Sequence, residues 1–333
     1  MTFHKFNPNE ESFTHSANYA TEELKKSYEE SSYAWPQKGS KLRITKSSLG
    51  NFKWCPQQYY FSTVLRMPSD ETEAMVRGTN VHNVVEYFWK RAEENLDEIV
   101  SLMDNDNHAL AKQLAESFMV SPDDGWKHDE AECLDVWFNW QWLRFLVCYT
   151  DKIPKLWLPV GNEYEAHATE EIEVDGQLVP VHYKGYIDRI FDDGEGGFII
   201  MELKTGKWVN RPYKMTSMRF EMNFYRHLLM KSGQPDYLPV SQWAWEFPNG
   251  RVNNGDEAKW VIEDVSKIAR YSDKSIVNTT KKLVKAHIDN EFPPIHSDSC
   301  KVNCGCIRRA CGNCSFIHIC PAFSVPEIQE VSQ

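Results

Sequence analysis

Three ionisable residues in the stretch GYIDRIFDDGEGGFIIMELKTGK are spaced for hydrolytic chemistry: Asp188, Glu202 and Lys204. Glu202 and Lys204 lie two apart, so on a strand their side chains leave from the same face. They close an otherwise apolar run, where burying charge is costly unless it is paired or binds a cation. A hairpin through DDGEGG would set Asp188 beside Glu202. Two such carboxylates repel, and a hard divalent ion removes that repulsion, Mg²⁺ held through oxygen being the natural choice. Lys204 would then orient a water or stabilise charge developing on a phosphate. Taken alone, the three residues also read as an ion pair on an edge strand.

Their company changes the weighing. RGTNVHNVVE supplies His82 on a predicted helix, with Glu86 one turn later on the same face. EMNFYRHLL supplies Tyr225 one turn after Glu221. Between these segments runs a basic series, Lys204, Lys207, Arg211, Lys214 and Arg219, which beside a metal site would neutralise phosphates. Each has a plainer reading: a hydrogen-bonded core histidine, a core aromatic and a solvated face.

In this order the segments resemble the PD-(D/E)XK nuclease superfamily, specifically its RecB-like exonuclease branch. GxxxHxxxE matches Gly78, His82 and Glu86; GxxD matches Gly185 and Asp188; ExK matches Glu202 and Lys204. The resemblance implies that His82, Asp188, Glu202 and the Leu203 carbonyl hold Mg²⁺ or Mn²⁺. It makes Lys204 the catalytic lysine and puts Tyr225 near the DNA or the water. The chain departs from the QxxxY pattern, with Glu221 where the family has Gln. A carboxylate accepts rather than donates, so it would add negative charge near the metals or alter strand contacts.

Six of the nine cysteines fall within residues 300–320. In a reducing compartment such density points to metal rather than disulfides. Cys311, Cys314 and Cys320 offer three thiolates, and Cys55, followed by Pro56, is a fourth far upstream. The paired motifs FxxCPxxYY and CxxCxxxxxCP resemble a subset of RecB-like nucleases, including the CRISPR-adaptation nucleases. That resemblance implies a structural [4Fe-4S] cluster on Cys55, Cys311, Cys314 and Cys320. Cys300, Cys304 and Cys306 remain open between an additional Zn²⁺ site, with His296 or His318, a replacement cluster ligand and no metal role.

The elements that must position these groups follow from pattern. Residues 1–40 are polar, without apolar periodicity, and read as a flexible arm. A capped helix starts at Ser47 or Ser48 and a second runs from Arg77; an acidic helical insertion spans about 91–158, ending in an aromatic helix over 131–149. Asp175-Gly176 marks a hairpin, FIIMELKTG a central strand, 214–231 a helix, 239–247 a strand and 257–288 a helix. The fold class is therefore α/β: a restriction-endonuclease-like mixed central sheet flanked by helices. Its nuclease core occupies 41–295, and a cysteine-rich Fe–S segment, 296–333, packs back on the N-terminal helix.

A chain of 333 residues, 41% hydrophobic, can bury such a core. Mean hydropathy of -0.55, no spanning apolar run and no signal-peptide pattern predict a cytoplasmic protein without a membrane partner. The net charge of -11 weighs against a generally basic nucleic-acid surface without excluding a local groove. No GxxxxGK[ST] occurs, so helicase coupling would require a partner. The leading expectation is a metal-dependent DNA exonuclease or end-processing enzyme of recombination, repair or replication. Alternatives are a catalytically inactive DNA-end binding or recombination-accessory module of the same fold, and a zinc-finger-like binding protein.

Overall fold

The computed structural model describes residues 42–67, 72–120, 128–206, 212–233, 235–248, 259–295, 314–316 and 319–320. The arm 1–40 and most of the cysteine-rich stretch lie outside the described residues. The chain divides into two compact units: one takes in 72–170 and 182–276, the other the flanking segments with 171–181 and 277–333. Among the described residues no helix is long and apolar enough to cross a membrane.

The larger unit is built on strands β2 (Gly161–Val174), β3 (Gln177–Asp192), β4 (Phe198–Leu203), β5 (Val240–Phe247) and β6 (Lys259–Asp264). β2 pairs β3, β3 pairs β4 antiparallel, β4 pairs β5 in parallel, and β5 pairs β6 antiparallel, so the sheet is mixed. Asp175 and Gly176 both take positive φ, the geometry of the tight turn the sequence predicts there. The β3–β4 turn is fixed by its own acids. Asp192 Oδ1 accepts from Gly194 N, Asp193 Oδ1 accepts from Glu195 N and Gly197 N, and Gly194 and Gly196 supply the left-handed backbone.

Helices flank this sheet. α3 (Glu73–Asp104) and α5 (His128–Thr150), joined by α4 (His108–Glu116), put Val85, Phe88, Trp89, Trp137 and Phe145 into one core with Phe191, Met201, Leu203 and Ala244. Trp89, Trp137 and Trp157 meet Phe88 edge to face, the arrangement their quadrupoles favour. α6 (Pro212–Lys231) packs Phe224, Tyr225 and Leu228 around Gly185 and Tyr183 of β3. Glu170 of β2 ties down the far end of α6, 2.7 Å from both His227 Nε2 and Lys231 Nζ.

Three expectations change. Residues 257–288 were predicted as one helix, but β6 precedes α7 (Val265–Asp289). Trp260, Val261 and Ile262 suit a pleated edge beside β5, and the Asp264 carboxylate accepts from Ser266 N to start the helix afterwards. The first helix is also not continuous. α1 (Lys46–Trp54) stops at Cys55, held extended at φ -157 because Pro56 disfavours helical backbone before it. α2 (Pro56–Tyr59) and a π-helical turn over Tyr60–Val64 follow. The N-cap of α1 is Thr45 rather than Ser47 or Ser48; Ser48 N donates to Thr45 Oγ1 while Thr45 N donates to Ser48 Oγ.

The smaller unit holds β1 (Leu42–Thr45), α1, α2, the hairpin tip and the C-terminal half of α7. Tyr59 anchors it: its hydroxyl lies 2.8 Å from His287 Nε2, and the Tyr60 ring stacks on Phe292 at 4.9 Å. Burial drives His287 from its ordinary 6.5 down to about 4. A depressed histidine is neutral in the fold while the unfolded chain takes up the proton, so its contribution is complete above pH 6.5 and is lost as pH falls toward 4. On the scale of one unit per 1.36 kcal/mol this amounts to about 3 kcal/mol. His287→Gln, which leaves Tyr59 a polar partner, is expected to flatten the fall in urea-unfolding stability between pH 7 and 5 relative to wild type. Identical slopes in the two proteins would refute this role.

Candidate metal centre and active site

Asp188 and Glu202 stand immediately beyond the last β3–β4 ladder pair, Arg189 with Met201, one on each strand. Both are buried, at 7% and 3% exposure, so neither can be an ion-pair residue on an open edge. Asp188 Oδ2 accepts from Leu203 N at 2.7 Å, which pins the aspartate across the end of β4. Glu202 pairs Trp245 and Leu203 pairs Glu246 in the parallel ladder; Lys204 N continues it to Glu246 O at 2.8 Å. The ExK segment is thus a paired, internal strand end, and its carboxylate has no route to solvation except through its neighbours.

α3 brings His82 over this strand end. Its Nε2 lies 3.2 Å from the Leu203 carbonyl oxygen and its Nδ1 lies 3.6 Å from Asp188 Oδ2. One turn earlier, Gly78 passes close to Thr205, where a Cβ would sit 3.5 Å from its Oγ1. Glu86 points elsewhere: its carboxylate takes Lys90 on the helix surface. Asn162 holds the Glu86 carbonyl instead, fastening α3 to the start of β2.

α6 completes the cluster from its own side. The Lys204 ammonium donates to Glu202 Oε1 at 3.0 Å and to Glu221 Oε2 at 2.6 Å. Glu221 therefore acts as an acceptor for Lys204, which a glutamine could do only without the charge. The Tyr225 hydroxyl is driven well above its ordinary range, first by burial and then by the Glu202, Asp188 and Glu221 carboxylates, and it hydrogen-bonds Glu202. Tyr225 is accordingly a neutral donor.

The basic run is only partly within view. Lys207 and Arg211 lie outside the described residues, and Lys214 is described as backbone alone. Arg219 forms a forked pair with Glu263 of β6, through Nε at 2.8 Å and Nη2 at 2.5 Å, so its charge is matched.

One site residue was not anticipated. Glu163, near the start of β2, joins His82 and Asp188 so that one donor atom from each lies within 4.8 Å of the others. Its backbone has φ 47, a left-handed conformation rarely taken by a side-chain-bearing residue in a strand. Its carboxyl is raised to about 7, by burial first and then by Asp188, with Glu86 and Glu202 adding to it and Arg189 opposing. EYEAHATEEIEV carries carboxylates at 163, 165, 170, 171 and 173, and nothing in that spacing singles out the first. Only the break in strand backbone does.

The donor set is hard oxygen with one imidazole, which fits a divalent cation of the Mg²⁺ or Mn²⁺ kind. Asp188, Glu202, Glu163 and Glu221 converge around His82 and Lys204, an excess of negative charge that such an ion would offset.

The cysteines of the smaller unit are described in part. Cys55 and Cys320 are buried and Cys314 half-buried; Cys300, Cys304, Cys306 and Cys311, like His296 and His318, lie outside the described residues. Phe316 and Ile319 pack with Phe61 and Met67, the Phe61 and Phe316 rings 5.5 Å apart, and Cys314 borders this cluster. The Cys314 thiol is pushed up to about 11, mainly by burial and further by the nearby Cys55 and Cys320 thiols.

The family profile of the PD-(D/E)XK nuclease superfamily matches residues 43–321. No curated protein matches. Among the 14 solved chains that match is one titled "Crystal structure of SSO0001", 14% identical over 92% of this chain and 97% of that one, with a TM-score of 0.35.

Gly185 gives a direct check on how α6 is seated. A Cβ there would stand 3.0 Å from Leu228 Cδ2 and 3.3 Å from Tyr225 Cε1. Gly185→Ala is expected to cost about 1–3 kcal/mol by overpacking, read by urea unfolding. An unchanged midpoint would show that α6 is free to shift.

Proposed function

The chain belongs to the PD-(D/E)XK nuclease superfamily, and from that membership we propose that it is a metal-dependent deoxyribonuclease of the RecB-like kind, acting as an exonuclease or end-processing enzyme. The observation that carries this reading is the convergence of His82, Asp188, Glu202, Lys204 and Tyr225 at the end of β4, within one unit of the fold. An inactive DNA-end binding module of the same fold has no evident need for these buried charges.

His82, Asp188, Glu202 and the Leu203 carbonyl would hold Mg²⁺ or Mn²⁺. Such an ion supplies Lewis acidity toward a phosphate oxygen and makes a nearby water a better nucleophile at neutral pH. The protein's own groups do the rest. Asp188 is oriented by the Leu203 N–H, which donates to its Oδ2. Lys204, held between Glu202 and Glu221, presents an ammonium to charge developing on the scissile phosphate. Tyr225 fixes the rotamer of Glu202 by donating to it. In the reaction the water oxygen bonds to phosphorus, the phosphorus–3′-oxygen bond breaks, and the departing oxygen takes up a proton. Lys207, Arg211 and Lys214 are the cations we assign to the DNA backbone, Arg219 being committed to Glu263. Coupling to a helicase or recombination partner belongs to the same proposal.

We further propose that Cys55, Cys311, Cys314 and Cys320 hold a structural [4Fe-4S] cluster. The packing of Phe316 and Ile319 on Phe61 supports it, since that packing gathers Cys314 and Cys320 in the smaller unit that also holds Cys55. Thiolate ligation also gives buried thiols a use that protonated ones lack.

End-labelled single- and double-stranded DNA with Mn²⁺ tests the first reading. Wild type is expected to cleave, and Asp188→Ala and Lys204→Ala to lose at least about 100-fold in rate. Equal cleavage by all three would sink the catalytic assignment, and no cleavage by wild type would favour the inactive module. For the cluster, anaerobically purified protein is expected to be brown with about four irons per chain. Cys55→Ser should lose iron and thermal stability together. A colourless, zinc-loaded wild type would overturn the iron assignment.

A further inference from the structure

We propose that the outward face of α5 is a homodimer interface, against which a second copy of this chain lays its own α5 antiparallel. The proposal draws on no residue of the metal centre.

α5 is apolar on two faces, and the fold uses one of them. Leu134, Trp137, Phe138, Trp142 and Phe145 enter the core shared with α3. Val136, Trp140, Leu143 and Val147 recur along the opposite face. Leu143 is 55% exposed and Val147 61%, with Val136 and Trp140 half-buried. A helix that is apolar all round is ordinarily buried all round. The patch also continues past the helix. The Trp140 ring meets that of Trp260 on β6, 6.3 Å between centroids. Ile262, two residues along that strand and so on the same face, is 48% exposed. Single exposed apolar residues need no explanation, whereas a contiguous set of this kind marks a docking surface.

The spacing says what docks there. Val136, Trp140, Leu143 and Val147 are separated by four, three and four residues, the alternation that keeps one seam facing a partner helix. Self-complementarity then singles out a second copy. Placed antiparallel, Trp140 meets the partner's Leu143 and Val136 meets the partner's Val147, and the two-fold axis repeats each pair. The helix runs 23 residues, about 35 Å, which accommodates all four layers of the seam.

Charge agrees with that direction. Glu132 and Asp135 lie at the N-terminal end of the stripe, and Lys152 and Lys155 follow its C-terminal end. The Lys152 ammonium sits over the Tyr149 ring, 5.2 Å from its centroid. Tyr149 lies about four turns from Asp135, so lysine and acid share one flank of the helix. Antiparallel packing sets the acids of each copy opposite the lysines of the other. Parallel packing would set acid against acid and lysine against lysine, which is penalised.

Sedimentation velocity of the full chain over a range of concentrations, without DNA or metal, tests the interface. Wild type is expected to show a monomer–dimer equilibrium, the heavier species having twice 38.8 kDa. Leu143→Glu with Val147→Glu should weaken association at least about tenfold. Lys152→Glu should weaken it several-fold, and more at low salt; adding Asp135→Lys to the same chain should recover most of the loss. Asp135, Leu143, Val147 and Lys152 are all exposed, and unchanged urea midpoints verify that the variants fold. Leu143→Ser with Val147→Ser replaces the glutamate pair if that pair disturbs folding. A wild type that stays monomeric at its highest soluble concentration overturns the proposal and leaves the stripe to another occupant, the arm 1–40 or a different protein. A dimer untouched by the Leu143 and Val147 changes overturns it as well. One that Lys152→Glu weakens and Asp135→Lys does not restore overturns the antiparallel arrangement.

Discussion

Asp188 and Arg189 are consecutive on β3, and both are buried with opposite charge. Adjacent strand residues face opposite sides of a sheet, so the larger unit must satisfy an anion on one face and a cation on the other at the same point. For Arg189 the answer is internal. Glu246 of β5, fully buried, lies 3.4 Å from its Nη2 and also accepts from Gln141 and from Trp260 Nε1 at 2.7 Å. Arg144 closes this group, donating to Gln141 Oε1 at 2.6 Å with its guanidinium stacked between Phe191 and Trp260. Burial lowers Arg144 only to about 10, so it remains charged at neutral pH.

A buried ion pair of this sort is weak evidence for stability, because desolvation takes back much of the Coulomb gain. Its geometric consequence is firmer. Glu246 is paired with Leu203 in the ladder, and its carbonyl receives Lys204 N. Fixing the Glu246 side chain against α5 therefore fixes the β5 backbone that ends β4, and with it the direction in which Glu202 and Lys204 leave the strand. On the other face Asp188 meets a backbone N–H, from Leu203, and the His82 imidazole.

The sequence carried most of this in its residue types. Asp188, Glu202 and Lys204 are recognisable because charge at the end of an apolar strand is costly, and the DDGEGG turn between them has one evident geometry. Helical spacing put His82 on one face with Glu86, and only the resemblance to the family motif pointed to it as a site residue. Glu163 did not, because its role depends on a left-handed backbone at one residue in a strand crowded with similar acids, and a period-2 pattern is blind to such a kink. β6 was lost for a related reason: KWVIED is short enough to be absorbed into the longer helical period of the residues behind it. The break at Cys55 was visible in Pro56, yet apolar spacing on either side outweighed it.

Glu221 shows what the family pattern leaves to the individual chain. A glutamine at this position would offer Lys204 a neutral oxygen and keep an N–H₂ for a second partner. The glutamate instead gives Lys204 a second full charge, at 2.6 Å, opposite Glu202 at 3.0 Å. An ammonium between two carboxylates is firmly held in place, but its field is largely cancelled, so by itself it attracts an approaching phosphate less. With Glu163 and Asp188 also nearby, the ring of acids presents negative potential to a polyanion. In the proposed nuclease a divalent ion at Asp188 would reverse that sign locally and leave Lys204 to act on the phosphate rather than on its own neighbours. Glu in place of Gln would then shift the burden of phosphate attraction from the lysine to the cation.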